Sequence, residues 1–166
     1  MKKSIFSCLF IPLILIYSCG YSLKNSSNAL TQKNIIVLGD NSNLNLELIT
    51  QLKAKGNKIS RIENMSKDHD LIIKIKQHQI NKFSGATGSG ARTTQARLDY
   101  KNSYEIVTKD NIIIENTFNS TNYLNFNQSD LLAMEKEEMV IVKNFIKDGI
   151  KNIEFLLSLN RNENQR

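Results

Sequence analysis

The chain holds two cysteines in 166 residues, Cys8 and Cys19, and two histidines, His69 and His78. Cys8 lies inside an amino-terminal leader and Cys19 at its end, so no disulfide is available to the rest of the chain. Its fold must be held by burial. The histidines are nine positions apart with no cysteine to join them, and neither a metal site nor a cofactor is expected. His69, between Asp68 and Asp70, reads as a solvated loop histidine. Glycine is scarce as well. Its one cluster, Ser84-Gly85-Ala86-Thr87-Gly88-Ser89-Gly90-Ala91, contains neither Gly-Lys-Ser/Thr nor G-x-G-x-x-G, which excludes the usual phosphate cradles and leaves a loop joining two strands. Glu135, Glu137 and Glu138 stand on the solvated side of a helical pattern, so no acid–base pair emerges and no enzyme is expected.

Long apolar runs are also missing, with one exception. Ile5 to Ile16 follows Lys2 and Lys3 and matches a signal-peptide core, too short to span a bilayer. It ends on Ile16-Tyr17-Ser18-Cys19-Gly20, which resembles the lipobox of bacterial lipoproteins. The resemblance implies cleavage before Cys19 and acylation of its thiol; the alternatives are an ordinary signal peptide with a chance cysteine, or an uncleaved anchor. Two or three acyl chains hold a protein on a bilayer durably where one does not. Gly20 in place of an aspartate after the cysteine favours the outer membrane, by resemblance to the lipoprotein sorting rule.

The formal net charge is +6, and +4 once Lys2 and Lys3 leave with the leader. An exported basic protein does not meet nucleic acid; its anionic surroundings are phospholipid and lipopolysaccharide head groups.

Residues 19–33 are Ser/Asn-rich and read as a lipidated tether. Asn34 to Leu38 predicts a buried strand. Leu44, Leu48 and Leu52 with Ile49 predict a helix capped by Asn43 and stopped at Gly56. From Asp70 to Phe83 an alternating pattern changes phase near Gln77-His78, which predicts a bulge. Ala96, Leu98, Tyr100, Tyr104 and Ile106 alternate with Arg97, Asp99, Lys101 and Glu105, a half-buried strand with a charged outer face. Lys109-Asp110-Asn111 is a tight turn into a partner strand carrying Ile112, Ile114 and Phe118. Asn127 or Ser129 caps a last helix whose stripe is Leu132, Met139, Val142, Ile146, Ile150, Ile153 and Leu157, with Gly149 marking close packing on the sheet. The expected fold is one α+β domain over residues 34–159, β-α-β-β-β-α, with two helices on one face of a four-stranded, mostly antiparallel sheet. Residues 1–18 are the leader and 160–166 a polar tail.

Arg92 and Arg97 flank the glycine cluster, Lys101 shares the outer strand face, and Lys136, Lys143 and Lys147 lie on the last helix. Arginine forks suit phosphate, so these residues are the ones to weigh for an anionic lipid.

The lipobox with Cys19-Gly20-Tyr21-Ser22-Leu23, the element order, Ala96-Arg97-Leu98-Asp99-Tyr100, the hairpin to Phe118 and the stretch from Ala133 to Asn144 together resemble the LPS-assembly lipoprotein family (LptE). The resemblance implies a non-catalytic plug inside a large outer-membrane β-barrel, the LPS-assembly protein, which assists barrel assembly and lipopolysaccharide delivery. It also implies lipopolysaccharide contacts near Arg92 and Lys136. The other reading is a stand-alone periplasmic carrier with an apolar ligand between sheet and helices.

Overall fold

Asn34-Ile35-Ile36-Val37-Leu38 forms strand β1 (Asn34–Leu38), with Ile35, Ile36 and Val37 all buried. Side chains alternate across a strand, so burial of three in succession means that both faces of β1 are covered. The structure, a computed structural model, describes residues 29–60, 69–88, 93–125 and 131–163.

Helix α1 (Asn43–Ala54) follows, burying Leu48, Ile49 and Leu52. Its N-cap is Ser42, one residue ahead of the expected Asn43: the Ser42 Oγ accepts the Asn45 N–H at 3.4 Å. Ser42→Ala should cost about 1 kcal/mol in urea unfolding, and an unchanged midpoint would remove the cap from the account. Gly56 takes the left-handed turn expected of it, at φ 83°, with its N–H donated to the Lys53 carbonyl.

The sequence pattern misses the next strand, β2 (Lys58–Ser60), which pairs parallel with β1. Three residues with a single apolar side chain carry no periodicity, and what makes β2 is the open edge of β1 beside it. Buried Asn57 sets its entry. Its Oδ1 accepts the Lys33 N–H at 3.0 Å, and its Nδ2 donates to the carbonyls of Leu30 (2.7 Å) and Leu52 (2.8 Å). Leu30 is fully buried among the core residues. The domain thus reaches back at least to Leu30, into the stretch expected as tether, because apolar Leu30 fills the end of the core beside α1.

Strands β3 (Leu71–Thr87), β4 (Thr93–Thr108) and β5 (Ile113–Asn125) form a long antiparallel meander, and the sheet order is β2-β1-β3-β4-β5. The sheet therefore has five strands rather than four and is mixed: β1 is parallel to both β2 and β3, while the longer pairings are antiparallel. The bulge falls where the alternation slips. Ile75 opposes Tyr104 and Gln77 opposes Ser103, with Lys76 the extra residue. The β4–β5 turn holds through Thr108 and Ile112, with Asn111 at φ 58°.

Helix α2 (Leu131–Glu163) lies beside α1 and over β5. Its carboxy-terminal half packs as the stripe predicts, on Ile146, Ile150 and Ile153. Its amino-terminal half does not: Leu132 is 63% exposed and Met139 56%, while Met134, Ile141 and Phe145 are buried. The reason is a mismatch of length. Twelve residues of α1 span about 18 Å and thirty-three of α2 about 50 Å, so α1 leaves the first turns of α2 uncovered on that side. Gly149 marks close packing as expected, since a Cβ there would lie 3.4 Å from the Tyr100 hydroxyl and 3.7 Å from the Phe118 ring.

Candidate functional site

Beyond the end of β1, strands β3 and β4 continue as a blade. One face carries α2; the other is open and polar. The open face follows from the alternation in β4, which places Arg97, Asp99, Lys101, Ser103 and Glu105 opposite the buried row Ala96, Leu98, Tyr100, Asn102, Tyr104 and Ile106. Cross-strand partners tie the face together. Lys74 Nζ reaches Glu105 at 2.6 Å, Lys76 Nζ reaches Glu115 at 2.8 Å and Glu105 at 3.4 Å, and Thr121 Oγ1 donates to Asp99 at 2.9 Å. The hydrogen bond from Lys74 holds the Glu105 carboxyl below its ordinary range, and that from Lys76 to Glu115 holds the Lys76 ammonium above its own. Pairs this exposed contribute at most about 1 kcal/mol each, so the face is built for contact more than for stability. Toward the tip, Phe83, Arg97 and Tyr123 stand side by side on three strands. The Arg97 guanidinium lies 5.1 Å from the Phe83 ring centroid and 3.0 Å from Asp99.

The basic residues singled out in the sequence divide between two sides of the molecule. Arg97 and Lys101 share the open face. Lys136 is exposed on α2, and Lys143 lies across the sheet from them, at a groove between the helices. Cys19 and Arg92 are outside the described residues, as are the expected caps Asn127 and Ser129. Glu138, expected to be solvated, instead receives Lys82 at 2.6 Å.

The groove is an open concavity of about 590 Å³ lined by Glu47, Glu135, Glu138, Met139, Val142 and Lys143, with Asn43 at its end. Inside the domain, the space between sheet and helices is filled by Leu98, Tyr100, Ile146 and Ile150.

A polar chain that sequence reasoning missed runs through that core. The Tyr100 hydroxyl donates to His78 Nε2 at 2.8 Å, His78 Nδ1–H donates to Asn45 Oδ1 at 2.6 Å, and Asn45 Nδ2 donates to Asp40 Oδ1 at 2.6 Å. The order follows from Asn45: its amide nitrogen faces a carboxylate, so its oxygen must accept from the ring. Burial pushes the His78 pKa down to about 4 against the opposing pull of Asp40, and pushes the Tyr100 hydroxyl up. Hydrogen bonds from Ser42 lower Asp40. The ring is neutral with both nitrogens engaged, an arrangement that joins β3, β4, α1 and the loop after β1. A helical Asn45 facing a strand His78 leaves no local signal in the sequence. A second cluster joins Tyr104, Asn116 and Asn152, the Tyr104 hydroxyl donating to Asn152 Oδ1 at 2.6 Å. His69 is half-buried rather than fully solvated, its Nδ1 shielded from water. Among the described residues no three metal-ligating side chains converge, and no helix is long and apolar enough to cross a membrane.

A mixed five-stranded sheet with two helices on one face and a charged open face defines a two-layer α+β domain. Solved structures share it. The chain is similar to rare lipoprotein B from Shewanella oneidensis, at 11% identity over 79% of this chain and 97% of that one, with a TM-score of 0.58. It is similar to an uncharacterized lipoprotein B from Nitrosomonas europaea (16% identity, 75% and 81% covered, TM-score 0.55) and to a minor lipoprotein from Acinetobacter baumannii (16%, 79% and 94%, TM-score 0.53). At these identities the likeness establishes the fold. No family model and no curated protein matches the chain.

Proposed function

We propose that this chain is a non-catalytic lipoprotein, anchored in the outer membrane through Cys19, that seats in and helps assemble the LPS-assembly β-barrel and assists lipopolysaccharide delivery to the outer leaflet. The observation that carries the reading is the open blade face, a charged and hydroxylated surface backed by a hydrophobic core of its own. A plug in a polar barrel lumen needs that combination. The neighbours' printed names, all lipoproteins, support the anchoring half of the proposal.

Arg97 and Lys101 on the blade are the phosphate contacts in this reading, with Arg92 in the loop before them. Lys136 and Lys143 contact lipid from the helical side. The carrier alternative finds no support in the filled layer between sheet and helices.

The test is a pull-down of the lipidated, tagged chain from detergent-solubilised outer membrane, with partners identified by mass. A large β-barrel at equal stoichiometry is expected, together with weakened capture for Arg97→Ala. A chain that emerges alone, with lipid confirmed on Cys19, would overturn the barrel role.

A further inference from the structure

The two edges of the sheet are finished differently. Exposed edge strands of monomeric proteins are usually blunted by shortness, lysine, proline or a bulge. β2 obeys this, being three residues long and starting at Lys58. β5 does not. Its thirteen residues pair with β4 without a register shift, and among the described residues no strand or other main-chain bond lies on its far side. It contains no lysine, arginine or proline, and its one charge is Glu115.

We infer that β5 is a self-complementary edge that pairs antiparallel with β5 of a second copy, across a two-fold axis at Asn119. Asn119 is the midpoint of Ile113–Asn125, so this register uses the whole strand; moving the axis by one residue leaves two positions of each strand unpaired. On the helix-covered face the pairing sets Ile114 against Leu124 and Asn116 against Asn122. On the open face it sets Glu115 against Tyr123 and Thr117 against Thr121. Opposed residues share the same face and the same main-chain direction, so outward N–H and C=O groups meet, and no like charges face each other. A two-fold contact of this kind closes on itself and does not propagate into fibres. The occupant is a second copy because the edge complements itself in charge and in apolar content. The inference stands independently of the barrel reading, and its test requires no barrel.

The full chain in detergent, with the micelle's mass subtracted, should run at twice the monomer mass in light scattering. Thr117→Lys with Thr121→Lys places like charges opposite each other twice and should weaken self-association by about tenfold. Thr117→Lys with Thr121→Glu places opposite charges there and should restore it. As a second readout, Asn119→Cys should cross-link to its own copy under mild oxidation. Glu115→Cys should not, because the two sites would be about 27 Å apart. Monomer mass for the unaltered chain overturns the inference, whether the edge is free, covered by residues 1–28 or taken by a strand of another protein. Equal cross-linking at both positions overturns it too.

Discussion

Replacing Tyr100 with alanine is expected to destabilise the domain by about 4 kcal/mol, the largest loss from any single truncation considered. Tyr100 stacks on Phe145 of α2 with centroids 5.3 Å apart and planes at 7°, and meets Phe118 edge-on at 6.0 Å. Its ring thus joins β4, β5 and α2 in one contact, and aromatic pairs contribute about 0.5–1.5 kcal/mol beyond their buried area. Tyr100→Phe keeps the ring but leaves His78 Nε2 without its donor, and should cost about 1 kcal/mol. Urea unfolding of both variants checks this, and a midpoint change for Tyr100→Ala equivalent to under about 1.5 kcal/mol would sink the claim that α2 is seated on this ring.

Acidification should remove stability through His78. Its pKa in the folded chain is about 4, below the ordinary 6.5. The unfolded chain therefore binds the proton first as pH falls, and stability drops between roughly pH 6.5 and 4. A shift of this size corresponds to about 3 kcal/mol. Partial solvent access to the ring reduces the expected loss to roughly 2 kcal/mol. Protonation also gives Nε2 a hydrogen that faces the Tyr100 donor, so the chain of bonds must break as the charge enters. His78→Gln should flatten the profile in this interval while leaving the fall at lower pH, where the depressed carboxyls of Asp40 and Glu105 titrate. Parallel curves for the two proteins from pH 7 to 4.5 would remove His78 from the acid response.

Much of the blade was legible because local pattern and tertiary role coincide there. Leu98 and Tyr100 alternate with Arg97, Asp99 and Lys101, and the sheet uses that alternation without change. The slip at Gln77-His78 became the Lys76 bulge, and Gly56 and Asn111 took the left-handed turns their residue types favour. The candidate site was legible only in part. Arg97 and Lys101 could be placed on one face by counting in twos, but nothing in a single strand tells which cations from other elements join them.

By itself, then, the sequence determined the two-layer class, the buried and open faces of the meander and the turns, since each depends on residues a few positions apart. Tertiary structure alone decided four things: that β1 holds a parallel strand on each side, that Leu30 enters the core, that α1 stops short of Met139, and that Asn45, His78 and Tyr100 form one chain of hydrogen bonds. Each depends on which distant segment comes to lie beside a given side chain, and on how far it reaches. Strand pairing and packing settle those distances only when the whole chain is folded.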